Sequence, residues 1–218
     1  MNTITTFINH IICGDCISVM ATMPSTSVDL VVTDPPYLVN YRPSDGRRYP
    51  NDDNDRWLVP AFAEVARVLK RDRFVVSFYG WNKADRFLLA WKAAGLYPVG
   101  HLVWTKNYYS KERFVRYSHE SAYLLAKGNP PKPRVGLRDV LDWRYTGDTL
   151  HPTQKPVMAL LPLIMAYSQV GDIVLDPFAG SGTTAVAAAT LGRRYIGIEL
   201  EPKYAAIAQE RLAREHRE

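Results

Sequence analysis

Short, nearly continuous hydrophobic runs alternate along the chain with segments whose hydrophobic positions repeat every three to four residues. Residues 28–33, 74–78, 99–105, 121–126, 173–176 and 195–199 form the runs and are predicted strands. Several are apolar at successive positions, as expected of strands covered on both faces. Between them, residues 57–70 place Leu58, Phe62, Val65 and Leu69 on one helical stripe. Residues 84–94 and 157–167 also read as helices, the latter behind Pro156 at a favoured first-turn position. A last helix is expected from about Pro202, with Glu201 as a cap, fraying into the charged tail 214–218. The alternation implies an α/β fold with a mainly parallel sheet.

Two stretches break the pattern. Residues 39–56 are polar and hold Pro43, Gly46 and Pro50, which reads as a loop able to move. Residues 128–149 hold Pro130, Pro131, Pro133, Gly136 and Gly147 and read as an irregular insertion.

Composition narrows the class. With 218 residues, 47% of them hydrophobic, the chain supports one well-filled core and a single domain, 1–218. No apolar run approaches the roughly 20 residues of a membrane span. The first twelve residues lack a secretory pattern, and Cys13 and Cys16 are too few for a disulfide scaffold, so a soluble cytoplasmic protein is expected. The net charge of +5 fits a polyanionic partner without requiring one. Arg47 and Arg48 are interleaved with aspartates, whereas Lys106, Lys111, Arg113 and Arg116 face only Glu112 and alternate with Tyr108, Tyr109, Phe114 and Tyr117. That mixture suits phosphates and bases, although charge alone favours a solvated surface loop.

Two motifs carry chemistry. Residues 173–184 run from a strand through Asp176-Pro-Phe-Ala-Gly180-Ser-Gly182 into an alanine-rich helix. The glycines permit a tight turn and close approach of a ligand, and Glu199 follows at the end of the next strand, placed for ribose hydroxyls. The full dinucleotide fingerprint is absent, because Ala185 stands three after Gly182, and no Gly-Lys-Ser/Thr follows. The expected ligand is a nucleoside without a demanding phosphate cradle.

The second motif, Asp34-Pro35-Pro36-Tyr37, sits directly at the end of the 28–33 strand. Two prolines remove backbone donors, so the turn offers carbonyls, a carboxylate and an aromatic face. An aromatic ring bearing –NH₂ fits this set, with Asp34 and the Pro35 carbonyl accepting its hydrogens and Tyr37 stacking. A strand-ending turn with a packed tyrosine is the plainer alternative.

In these two motifs and their order the sequence resembles the permuted DNA amino-methyltransferases, in which the Asp-Pro-Pro-Tyr half precedes the Phe-x-Gly-x-Gly half. The likeness includes Gly14-Asp15-Cys16, residues 74–78, His151-Pro-Thr-Gln-Lys-Pro156, residues 176–183 and Ile198-Glu199. It implies a Rossmann-like, seven-stranded class I methyltransferase sheet with helices on both faces. It also implies S-adenosylmethionine as cofactor and no metal. The catalytic half would span about 1–127, a small target-recognition insertion about 128–150, and the cofactor half about 151–218. By motif, Asp34, Pro35, Pro36 and Tyr37 would be catalytic. Asp15 would meet the cofactor adenine, beside Cys16, and Glu199 its ribose. Asp176, Phe178 and Gly180 would line the methionine portion, with Lys155 or Thr153 near its carboxylate, and Gly182 and Thr183 would also bind the cofactor. Cys13-x-x-Cys16 carries little weight as a redox or zinc motif without further cysteines.

The resemblance implies methylation of an exocyclic amine in DNA, adenine N6 above cytosine N4, because cytosine enzymes more often carry Ser at the position of Asp34. An RNA amino-methyltransferase, or a regulator that has lost catalysis, are the alternatives. The base would be flipped from duplex DNA or taken from a single strand. Arg47, Arg48, Lys106, Lys111, Arg113 and Arg116 would hold the backbone. The 23-residue insertion is too small for a recognition domain. A short or relaxed target, or recognition shared across a homodimer, is therefore expected. The setting is a restriction–modification or solitary enzyme of a bacterium, phage or plasmid.

Overall fold

The computed structural model describes residues 3–40, 50–110, 114–133, 135–143 and 155–215, with the side chains of 110 and 215 left aside. Its centre is a sheet of β1 (His10–Cys13), β2 (Val28–Thr33), β3 (Leu69–Phe78), β4 (Tyr97–Ser110), β5 (Tyr117–Lys127), β6 (Val140–Asp142), β7 (Ile173–Asp176) and β8 (Arg194–Glu199). The spatial order is β1-β8-β7-β2-β3-β5-β4-β6. The pairs from β1 through β8, β7 and β2 to β3 are parallel; β5 is antiparallel to both β3 and β4.

The sheet thus has eight described strands where seven were expected. The additional strand, β6, comes from the insertion read as irregular, and pairs parallel with β4 at Val103, Trp104 and Thr105. Its three residues are too few for a periodic signal, and the surrounding prolines mask it. The short β1 and helix α1 (Cys16–Ala21) also lie where the pattern gives no prediction. By contrast, β2 and β7 have the expected bounds, while β3, β4 and β5 extend further into polar sequence.

Helices cover both faces. On one, α1, α2 (Leu58–Val68) and α3 (Ala84–Ala93) bury Met20, Phe62, Val65, Phe87 and Trp91 against the sheet. On the other, α4 (Val157–Tyr167), α5 (Thr183–Thr190) and α6 (Pro202–Glu215) bury Leu163, Val186 and Leu212. All six residues of β2 are buried, with Val31 facing the first cluster and Leu30 and Val32 the second. Asp29 within it would be costly alone. Its carboxylate accepts from Lys70 (2.7 Å), Arg73 (3.3 Å) and the Ile173 backbone N–H (3.0 Å), tying β2 to β3 and β7.

The chain leaves β2 through α2 to β3 on one side, and leaves β7 through α5 to β8 on the other. The neighbouring strands β2 and β7 therefore form the switch point at which open α/β sheets place ligands, beyond the strands' carboxyl ends. No helix among the described residues is long and apolar enough to cross a membrane.

Candidate active site

Register places four acidic residues along that edge. Cys13 pairs with Glu199, so Asp15 follows β1 beside the end of β8; Asp176 pairs with Gly197, and Val31 with Leu175, which brings Asp34 opposite the glycine turn. A cleft lies there, lined by Thr33, Asp34, Phe78, Lys155, Leu160, Asp176, Phe178, Ala179, Gly180, Ser181, Thr183 and Thr184. Asp15, Cys16 and Glu199 stand outside those walls, along the ends of β1 and β8.

The glycine turn is held from below and behind. Gly182 has φ +80°, and a Cβ there would lie 2.9 Å from the Ala208 Cβ, so close packing of α5 on α6 demands glycine. Gly180 has φ +51° with nothing within 4 Å of an added Cβ, which leaves open space for a ligand. Glu199 accepts from the backbone N–H of Gly180 and of Glu201, each at 2.8 Å. Phe178 packs edge-on against Trp57 at 5.1 Å. Thr183 accepts from Arg211 at 3.1 Å.

Asp176 is buried at the floor, where it accepts from Thr184 (2.7 Å) and from the Phe178 N–H (3.1 Å). Burial outweighs those bonds and raises its carboxyl to about 7. The folded state then holds a proton that the unfolded chain has lost, from the ordinary value near 3.8 up to about 7. Stability from this group is therefore full at acid pH and lost as pH rises through that window. Asp176→Asn is expected to remove a few kcal/mol of this slope, read as a flatter melting temperature between pH 4 and 7. An unchanged slope would refute the assignment.

Asp15 caps α1, accepting from the Ser18 N–H (2.9 Å) and hydroxyl (2.8 Å). Burial pushes the adjacent Cys16 thiol up to about 12, with Asp15 adding to the shift. A thiol of this kind is no nucleophile at neutral pH. Among the described residues, no group of three His, Cys, Asp or Glu is placed to hold a metal.

At the other end of the cleft the Asp34 carboxylate is bracketed. Lys155 donates to one oxygen at 2.6 Å and the Tyr37 hydroxyl to the other at 2.8 Å. Lys155 also reaches the Tyr37 oxygen at 3.2 Å and lies 4.7 Å from the Phe78 ring centre. The Tyr37 hydroxyl is 3.5 Å from Glu120, which is ion-paired with Lys106. Two carboxylates and two ammonium groups thus form one largely buried, charge-balanced cluster. Burial raises Asp34, with Lys155 as the main counterweight. Burial would lower Lys155, but Asp34 and Glu120 outweigh it and hold the ammonium charged. Glu120 stays below the usual carboxylate range because Lys155 and Lys106 overcome its burial. Burial, then the Asp34 and Glu120 charges, keep the Tyr37 phenol protonated well beyond its ordinary value.

Two sequence expectations change here. Lys106, expected on a phosphate-holding surface, has a side chain only 9% exposed and turns inward to Glu120. Lys155, expected beside a cofactor carboxylate, lines the cleft but lays its ammonium on Asp34. Glu120 escapes the sequence reading altogether, because the predicted strand begins one residue after it. Arg116 is exposed, 6.0 Å from the Tyr109 ring centre. Arg47, Arg48, Lys111, Arg113, His151 and Thr153 lie outside the described residues. Pro35 is buried and Pro36 half-buried between Asp34 and Tyr37, with trans peptide bonds throughout. The loop expected at 39–56 is tied at its stem, where Asp52 receives the N–H of Val39 (3.2 Å, on the carboxylate) and of Asn40 (3.0 Å, on the carbonyl).

Comparison with known proteins agrees with this arrangement. A family model described as DNA methylase, of N6/N4 type, matches residues 28–210. YubD, a candidate methylase of Escherichia coli (strain K12), is 57% identical over 200 residues, covering 92% of this chain and 88% of its own. The type II methyltransferase M.BglII of Bacillus subtilis is 28% identical over 255 residues, covering 95% of this chain and 70% of its own. Among solved structures, TTHA0409 of Thermus thermophilus, a candidate DNA modification methylase complexed with S-adenosyl-L-methionine, superposes with TM-score 0.75. Its identity is 29%, with 95% of this chain and 94% of that chain covered. The cleft between the Asp34 cluster and the glycine turn, and these matches over most of its length, show that the chain belongs to the N6/N4 DNA methylase family.

Proposed function

We propose that this chain methylates the N6 amino group of an adenine flipped out of duplex DNA, with S-adenosylmethionine as methyl donor. The observation that carries this reading is the bracketed Asp34 carboxylate at the mouth of a cleft floored by the glycine turn. The cofactor fits the residues present: open space at Gly180, a buried acid at Asp176, and Glu199 at the end of β8. Glu199 and Asp15 would hold its nucleoside, and Phe178 and Thr183 would flank its amino-acid portion. When bound, it supplies an electrophilic methyl group on positively charged sulfur.

The chain's own residues act on the nucleophile. An exocyclic amine is a weak nucleophile because its lone pair is delocalised into the ring. Asp34 and the Pro35 carbonyl accept the two N–H bonds and favour a pyramidal nitrogen with its lone pair free. Tyr37 supplies the face on which the ring stacks. The Asp34 charge stabilises positive charge developing on nitrogen, and orientation supplies much of the remainder. Lys155 is the main influence holding the Asp34 carboxyl down against its burial, and Glu120 offsets the field that Lys155 would otherwise impose on that nitrogen. Asp at position 34, where cytosine enzymes more often have Ser, favours adenine. The β6 strand takes part of the small insertion, which supports a short or relaxed target, or one shared between two copies.

Expression in a methylation-free host, followed by modification-sensitive sequencing of its DNA, tests the reading. N6-methyladenine in a recurring context is the expected result. N4-methylcytosine would replace adenine by cytosine, and unmodified DNA would overturn the proposal.

A further inference from the structure

Strands β3 and β4 run in the same direction, since both are antiparallel to β5. The end of β4 and the start of β5 therefore lie at the same sheet edge as Asp34. An unusual concentration of exposed aromatic surface sits there. Trp81, just beyond β3, is 62% exposed; Tyr109 and Phe114, flanking the turn, are 64% and 87% exposed. Trp81 also packs against Tyr117, with ring centres 5.5 Å apart and planes 35° from parallel. Scattered exposed hydrophobic residues need no explanation, but several rings gathered at the mouth of a site do.

The rim is built onto the catalytic loop. A Cβ at Gly80 would come within 2.6 Å of the Tyr37 carbonyl oxygen, so glycine there lets the Trp81 turn sit directly against that loop. From the other side, β5 carries Tyr117 at the rim and, three residues on, Glu120 beside the Tyr37 hydroxyl. Arg116 adds an exposed cation next to Tyr109.

We propose that Trp81 and Phe114 form a stacking wedge that enters the duplex beside the target, occupying space vacated by the departing base and keeping the helix open. This rests on the DNA reading above and adds to it a surface with its own task. Flat rings match base faces irrespective of sequence, and apolar side chains inserted between base steps hold a duplex unstacked. Continuity with the Tyr37 loop places the wedge next to the base it replaces.

The test compares two duplexes spanning a site that the wild-type enzyme modifies, one fully paired and one with an abasic position opposite the target. Trp81→Ala and Phe114→Ala, made singly, are expected to slow single-turnover methylation of the paired duplex by about 10- to 100-fold. The loss on the abasic duplex, where the target is already unpaired, is expected to be smaller by about tenfold. Trp81→Phe, which keeps a ring, should recover most of the rate on the paired duplex. Equal losses on both duplexes, or none on either, overturn the wedge. If DNA from the methylation-free host carries no modified site from which to build these duplexes, the DNA reading is overturned instead.

Discussion

Asp34→Ala is expected to lower single-turnover methyl transfer by about 10²- to 10³-fold, the scale of losing one preorganised electrostatic contact in a water-poor site. The side chain is 23% exposed and both oxygens are engaged, so its geometry is set before substrate arrives. Asp34→Asn separates shape from charge. It keeps an acceptor oxygen in place but removes the negative charge facing the nitrogen, so an intermediate rate is expected. Cofactor affinity, measured by calorimetry, should change far less than rate in both variants. Rates within threefold of wild type in both would sink the assignment.

Lys155→Met should act through Asp34 and show itself twice. The first effect is on stability. Breaking a buried ion pair by removing one partner costs roughly 3–5 kcal/mol, and partial exposure of Asp34 together with the Tyr37 bond places this case at the low end. A fall in melting temperature measures it. The second effect is on the pH profile. Burial raises Asp34 and Lys155 is the largest influence lowering it; without the ammonium the carboxyl protonates at higher pH. Activity that depends on ionised Asp34 then fails sooner on acidification, so the acid limb of kcat/KM moves to higher pH. A limb that stays in place, or moves to lower pH, would show that Lys155 does not govern Asp34.

The sequence makes the two half-sites legible because each is local. Asp34 through Tyr37 follow an apolar strand without interruption, and the glycine turn is followed by Glu199 one strand later. The residues that complete the cluster are not local. Lys155 lies 121 positions from Asp34, and Glu120 lies 83 from Tyr37. Their side chains are polar, so periodicity assigns them to the surface, and only the pairing of β5 with β3 and β4 turns Glu120 towards Tyr37. Alternation along β5, with Ala122 and Leu124 buried on Glu120's side, is the signal that could extend the strand to include it. Lys106 shows the converse: a basic residue among tyrosines suggests a phosphate contact, and only the fold reveals the Glu120 carboxylate it pairs with. Strand β6 escapes for a third reason, being too short to show a period.

The position of β2 in the sheet has a consequence for motion. It is hydrogen-bonded to β7 on one side and β3 on the other, and every residue in it is buried. Such a strand belongs to the last part of a fold to open, so its amides exchange with solvent only when the whole domain unfolds. Asp34 is rooted in that slow unit. Four residues later the backbone enters the left-handed region at Leu38 (φ +61°) and again at Asn40 (φ +51°). Asp34 and the backbone at Leu38 and Asn40 thus belong to parts of the fold with different backbone geometry. Asp34 therefore keeps its register with the glycine turn until the whole domain opens.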